Sequence, residues 1–444
     1  MKKVLFIILI AIANLGYGQF DLSFYQMGAA TPQSNNYNAA FFPKSRVFVS
    51  IPGLSGIGLS VHNSFGMTDI LTRTGDSTLV DVNRFLANQK NNAYFNTTFS
   101  LTDLMVGFRT GDNGFVTVFV NERGEGTAFY PMQLINFIWN GNRNYVGQDY
   151  KINDMSYGYT QYREIGVGYG RDFNILGMKT TLGMRVKYLQ GLFHSGTSNS
   201  INMSIYTAED YSVQASIKDG AIMNAGLNKL GNGDYSYFIF NQNKGFGVDL
   251  GMQMEVTDRL NVSFAANDLG YIHWTEDAEK ASFKGTSLNL DGSTFDDLNQ
   301  LGQAVADSIN ALKVDTLPTT FNTSLNSKIF LSGSYRLTDN GYAQLTMSNY
   351  FTQGRMKSAV GVGYLQNLGK WLAASTTFSL SPQRGVDMGA GLMLRGGAFQ
   401  TYFNVDNIFN TINIPKATGV NLKFGFNFLF GAQEKKTSKK PQDN

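Results

Sequence analysis

Residues 420–431 read Val420-Asn421-Leu422-Lys423-Phe424-Gly425-Phe426-Asn427-Phe428-Leu429-Phe430-Gly431. Val420, Leu422, Phe424, Phe426, Phe428 and Phe430 share one face of an extended chain. Asn421, Lys423, Gly425, Asn427 and Gly431 share the other, with Leu429 the one apolar exception. Alternation this long belongs to a strand, because a helix would scatter the two classes around its axis. A face made almost wholly of Phe suits hydrocarbon, and a small, polar face suits a wet interior. That pairing is the signature of a strand in a transmembrane barrel.

The same pattern extends upstream. Segments 328–338, 342–352, 356–366, 371–380, 386–395 and 399–406 alternate, with Asp339-Asn340-Gly341 and Gly396-Gly397 as tight turns. Each runs to about 9–12 residues, the length a tilted membrane strand needs. Earlier strands are read at 46–51 and 57–64, separated by Pro52-Gly53, then at 94–101, 104–109, 115–121, 163–173, 178–189, 246–256 and 260–266. Weaker strands occupy 197–207 and 211–218. Residues 122–160 and 219–243 read as long polar loops, and 81–92 as a short helix. A 3–4 spacing of Leu298, Leu301, Val305, Ile309 and Leu312 predicts an amphipathic loop helix over 295–312, ended by Leu317-Pro318. The expected fold is all-β: a transmembrane antiparallel barrel of about 14 strands, within 12–16. A soluble all-β protein would need a second sheet to cover the Phe-rich face.

Composition agrees. The 444 residues include 48 Gly, 34 Phe, 22 Tyr and only 8 Pro, with 16% charge and a net charge of +3. No basic stripe is interleaved with aromatics, so nucleic acid is not an expected partner. Cys is absent, which excludes disulfides, thiolate metal sites and cysteine nucleophiles. Lys2 and Lys3, the apolar run 4–13 and small Gly16 and Gly18 before Gln19 read as a cleaved signal peptide over 1–18. Residues 19–45 form an N-terminal segment, 46–431 the barrel, and 432–444 a charged tail. The expected location is the outer membrane.

Twelve charges fall opposite the apolar face of their strands: Arg109, Glu164, Arg185, Lys187, Asp249, Glu255, Lys328, Arg336, Asp387, Arg395, Asp406 and Lys423. A Lys or Arg on the lipid face at midplane costs about 2–4 kcal/mol, so these are expected to point into the lumen. Mixed signs predict paired networks in a plugged or narrow lumen rather than an ion-selective pore. Tyr94, Phe95, Tyr342, Tyr350, Phe351, Trp371 and Tyr402 read as interface girdles. His62 and Ser64 share a strand face and form the one polar pair that points toward acyl-transfer chemistry. No third member stands at a telling spacing, and no Gly-x-Ser-x-Gly elbow surrounds a serine. His194 and His273 are isolated, so neither a metal site nor a cofactor is expected.

The chain resembles a family of outer-membrane barrels from bacteria with type IX secretion. The resemblance is carried by the signal peptide ending Gly18-Gln19, an Asn-Ala-rich segment before Phe42-Pro43-Lys44, the Ile51-Pro52-Gly53-Leu54-Ser55 turn, Tyr188-Leu189-Gln190-Gly191 and Leu317-Pro318-Thr319. That family is distantly similar to FadL-type transporters of hydrophobic compounds and to the PorV and PorP/SprF barrels. In those relatives an Asn-Pro-Ala segment lies in a hatch inside the barrel. The equivalent here is Asn38, Ala39 and Ala40, without the proline, followed by Pro43. The resemblance implies a non-enzymatic accessory or scaffold barrel of a secretion, motility or surface-assembly system, with outer-membrane lipids and other machine components as partners. The alternative is a FadL-like channel for hydrophobic small molecules, and a third reading is a lipid-modifying hydrolase using His62 and Ser64.

Overall fold

The computed structural model describes residues 21–43, 45–74, 77–88, 92–283, 286–290, 315–381, 385–408 and 417–432. The expected signal peptide, the expected loop helix over 295–312 and nearly all of the charged tail lie outside them. The wall is one closed antiparallel sheet of 14 strands. Strand β1 comes in two pieces, Ser45–Ser50 and Ser55–Asn63. The rest are β2 (Asn92–Thr110), β3 (Gly114–Pro131), β4 (Asp149–Ile175), β5 (Met178–Thr197), β6 (Lys244–Glu255) and β7 (Leu260–Trp274). They continue with β8 (Lys328–Arg336), β9 (Gly341–Thr352), β10 (Arg355–Leu368), β11 (Leu372–Ser381), β12 (Gly385–Gly396), β13 (Phe399–Asp406) and β14 (Gly419–Ala432). β14 closes the wall on β1, with Val47 opposite Phe430 and Ile57 opposite Phe424. Closure removes the free edges that would otherwise template aggregation.

The expected strands merge or move aside to reach this number. Segments 46–51 and 57–64 occupy one wall position, and 94–101 and 104–109 are one strand that bulges at Asp103. The two weaker strands, Ile201–Thr207 and Val213–Asp219, stand outside the wall in a sheet with the first residues of β4 and with Thr286–Leu290. The expected loop over 122–160 is corrected: β3 continues to Pro131 and β4 begins at Asp149. Here the polar residues Glu122, Arg123 and Glu125 and the glycines between them hide the alternation.

β14 shows how sequence becomes wall. Phe424, Phe428 and Phe430 face outward and are exposed, while Asn421, Asn427 and Leu429 face inward and are buried. Most large exposed hydrophobics lie on outward strand positions such as Ile165, Val167, Val362 and Phe378. They form the apolar belt that a lipid-facing barrel requires. The barrel has a turn end, with short connections such as 176–177 and 397–398, and a loop end, with connections such as 198–243. At the loop end the helix Met132–Asn140 lays Leu134 and Phe137 on Ile152, Ile205 and Ala215.

Residues 21–43 fill the lumen. They form helix α1 (Leu22–Met27) and two single 3-10 turns, Gly28–Ala30 and Pro32–Asn36. Elements this short have no stability of their own. Their order comes from packing: Phe24, Tyr25, Tyr37 and Phe41 join the wall residues Phe330, Leu365 and Tyr402 in one buried cluster. Tyr25 stacks on Phe330 at 4.6 Å between ring centroids.

Candidate functional site: the plugged lumen

The plug is fixed to strands around the whole circumference. Asp21 meets Lys423 at 3.0 Å and accepts from Asn421 at 2.8 Å. Gln344 donates to the Gln26 carbonyl at 3.0 Å, and Gln400 to that of Ala30 at 2.9 Å. Gln33 and Asn427 exchange two amide hydrogen bonds, at 2.6 and 3.0 Å. Asn38 is fully buried and donates to the Tyr25 hydroxyl at 3.0 Å and to the Phe264 carbonyl at 3.3 Å. Ala39 and Ala40 lie against the paired Gly183 and Gly251 of β5 and β6. A Cβ at either glycine would collide with the plug backbone, so glycine here serves close approach. Arg109 donates to the Pro43 carbonyl at 3.1 Å, where the plug leaves toward β1. The expected hatch residues Asn38, Ala39, Ala40 and Pro43 thus all sit in the lumen.

Most plug contacts are neutral hydrogen bonds, each worth about 0.5–1.5 kcal/mol net. Among the described residues the one ionic tether is Asp21–Lys423. Burial alone would raise the Asp21 carboxyl, but Lys423 beside it holds it down to about 2.

Beside the plug lies an ion-pair network with four cations and four carboxylates among the described residues. Lys187 contacts Asp249 at 2.8 Å, Glu164 at 3.4 Å and also Asp268. Arg185 pairs with Asp249 at 3.4 Å and Arg123 with Glu164 at 3.4 Å. Lys328 bridges Asp268 at 3.4 Å and Glu125 at 3.2 Å. The charges cancel, so mutual attraction offsets part of the desolvation cost of burying them. Five members, Glu164, Arg185, Lys187, Asp249 and Lys328, stand in the alternation. Arg123, Glu125 and Asp268 do not. Asn267 and Asp268 together oppose Asp249, a bulge with Asp268 at φ 60°, and this turns two successive polar side chains inward.

The other expected lumen charges are dispersed. Asp406 accepts from the Ser23 amide at 3.2 Å, and buried Asp387 sits beside Asn407. Arg395 turns to the Gly397 carbonyl at the rim, and Arg336 is half-buried at the turn end. Glu255 is a correction: it is exposed at the turn end, 3.7 Å from Lys179, because its strand ends there. The His62–Ser64 pair is also corrected. Buried His62 bonds Ser60 at 2.8 Å, while Ser64 lies past the strand end and its amide bonds Tyr94. Among the girdle aromatics, Phe95, Phe351 and Trp371 are exposed. Tyr94, Tyr350 and Tyr402 are buried on the lumen side and Tyr342 packs on the plug cluster, because those positions fall on the inward parity of their strands.

The wall is interrupted at one place beside the plug. Ser50 pairs with Asn427 and Ile57 with Phe424, so residues 51–56 stand opposite only 425–426. Pro52-Gly53-Leu54 loops outward there, and Leu54 is exposed. β2 bulges in answer, at Asp103. Directly inside lies a cavity of about 20 Å³. Gly56 and Thr102 of the interrupted wall line it, with Phe24 and Tyr37 of the plug and with Arg123 and Lys423. A second cavity of about 20 Å³ touches Asp21, Lys328 and Tyr350. Each has room for about one water.

Residues 40–406 match the model of the family of unknown function DUF5723, and the chain belongs to that family. No curated relative matches it in sequence. Among solved structures it is similar to the toluene transporter TbuX of Ralstonia pickettii, at 10% identity and a TM-score of 0.42 over 94% of this chain and 99% of that one. It is also similar to a FadL homologue of Pseudomonas aeruginosa, at 11% identity and a TM-score of 0.41 over 91% and 96%. A third is the Pseudomonas putida toluene transporter TodX, at 9% identity and a TM-score of 0.39 over 94% and 95%.

Proposed function

We propose that this protein is an outer-membrane channel for small hydrophobic or amphipathic molecules, closed at rest by its own N-terminal plug. The observation that carries the reading is the juxtaposition of a plug without long secondary structure, a small cavity between it and the wall, and an interruption of the β1–β14 pairing beside that cavity. The plug is held mainly by neutral hydrogen bonds and, among the described residues, one partly buried ion pair, so a modest rearrangement of 21–30 enlarges the cavity without unfolding the wall. The break at 51–56 then offers an exit into the membrane where the β1–β14 ladder is thinned, the Ile51 amide donating to the Phe426 carbonyl at 3.1 Å across it.

The test uses the absence of cysteine in the natural chain. Cysteines at Gln33 and Asn427, joined by a short bis-maleimide, tie the plug to β14. Uptake of a hydrophobic probe by vesicles holding the full chain is expected to stop on cross-linking, and deletion of 19–40 is expected to raise it. Unchanged uptake in both cases would sink the channel reading.

A second reading, a scaffold component of a secretion, motility or surface-assembly system, draws on the tightness of the plugged lumen and on the sheet and helix built above the loop end. It expects recovery of partner proteins in fixed ratio when a tagged chain is purified from native membranes in mild detergent. Recovery of the barrel alone would count against it.

A further inference from the structure

We infer that residues 226–243 form a strap that folds down over the outside of the barrel and anchors it in the outer leaflet of the bilayer. The inference rests on the reading of the barrel as membrane-spanning. Strand register fixes the level. Ile165, Tyr188, Phe246 and Tyr271 are neighbours across β4, β5, β6 and β7, all outward and exposed. This apolar and aromatic row is what an interface girdle looks like. One pleat nearer the loop end, the same face carries Arg163, Gln190, Lys244 and His273, and the wall turns polar.

The strap is pinned at that boundary. Arg163 donates to the Phe238 carbonyl at 3.2 Å and Gln190 to the Ile239 carbonyl at 3.1 Å. Arg163 is itself oriented by Glu122 at 2.6 Å. Asn241 donates to the Gly191 carbonyl at 2.9 Å, and Asn243 to the Tyr237 hydroxyl at 2.7 Å. Tyr237 is the large side chain turned toward the wall, and it is buried. Leu227, Leu230, Tyr235, Ile239 and Phe240 turn away, with Tyr235 81% and Phe240 83% exposed. So much exposed apolar surface on an ordered, hydrogen-bonded segment calls for a cover. The cover is lipid: the patch continues the barrel's own belt at the girdle's edge, and the Phe238 and Ile239 carbonyls beside its exposed side chains are already satisfied by Arg163 and Gln190 of the wall, as a lipid-facing segment requires.

Single cysteines in place of Phe240, Phe246 and Asp210 can each carry a nitroxide in the otherwise cysteine-free full chain. Asp210 lies on an exposed loop and Phe246 on the belt. In phosphatidylcholine vesicles, collisions with oxygen and with a water-soluble nickel chelate report depth. The expected result is that position 240 matches 246, with oxygen contact several-fold above that at 210 and chelate contact correspondingly low. If 240 tracks 210 while 246 is lipid-exposed, the strap faces water and the inference fails while the barrel reading stands. If 246 itself tracks 210, the membrane reading fails and takes the inference with it. Ile239→Cys gives an independent second reading should Phe240→Cys not fold, as judged by heat-modifiable mobility on gels.

Discussion

Lys187 is the hub of the buried network, touching Glu164, Asp249 and Asp268. Lys187→Met would leave three carboxylates facing one another without their common cation. Removing one partner of a buried pair costs about 3–5 kcal/mol. Urea unfolding of the vesicle-bound variant is expected to show a loss of that size. Gly251 works through shape instead. Gly251→Val places a side chain where Asn38 and Ala39 now lie, so the plug is expected to detach while the wall stays folded. Faster protease cleavage within 21–43, with unchanged heat-modifiable mobility, is the check. The Asp21–Lys423 tether gives a pH signature. The folded carboxyl is held at about 2, below its ordinary 3.8. Its stabilising contribution is therefore complete above 3.8 and is lost as pH falls through about 2. A nitroxide on the plug is expected to stay immobile from pH 7 to 4 and to loosen toward pH 2, whereas Asp21→Asn loosens it at neutral pH.

Among elements, the two-piece β1 is the most informative. Six residues, 51–56, stand where the partner strand supplies two, 425–426. Such an insertion bends a strand and ends local pairing, and bulges of this kind concentrate beside functional sites. Deleting 51–54 restores a regular ladder between β1 and β14. The barrel is expected to assemble as well as before, and probe uptake through the wall is expected to fall to the protein-free level. Uptake that survives the deletion would move the exit elsewhere. The plug is the opposite kind of element. Its helix is six residues long and carries no side-chain cap, so it exists only because the lumen holds it.

For the molecule as a whole, the balance of charge decides how an opened lumen would treat ions. The lumen network carries equal numbers of cations and carboxylates, and the plug adds a further neutral pair in Asp21 and Lys423. A ring of one sign selects ions, and a cancelled set does not. The intact chain in a planar bilayer is expected to conduct at background level. After removal of residues 19–40 it is expected to conduct with a potassium-to-chloride permeability ratio within about threefold of unity. A strongly selective open state would show that the network rearranges when the plug leaves.

The sequence by itself determined that this chain is an all-β barrel with an apolar outside and a polar inside. The strand period is two, so each residue's face follows from its parity, and β14 alone displays it. Parity also placed Glu164, Arg185, Lys187, Asp249 and Lys328 in the lumen. Tyr94, Tyr342, Tyr350 and Tyr402, expected in the interface girdles for their aromatic character near strand ends, follow the inward parity of their strands instead. Only the tertiary structure decided the rest. Arg123 and Glu125 lie on wall strands where polar residues hide the alternation, and Asp268 enters the lumen through a bulge that resets the parity. The partner of His62 is Ser60, since Ser64 lies beyond the last paired residue. The plug and the strap have no periodic signature at all. Their conformations are set by side chains hundreds of residues away, such as Asn427 for Gln33, or on the far side of a loop, such as Arg163 for Phe238. Local pattern reports the face of a strand, whereas what fills or covers a barrel depends on contacts that exist only once the sheet has closed.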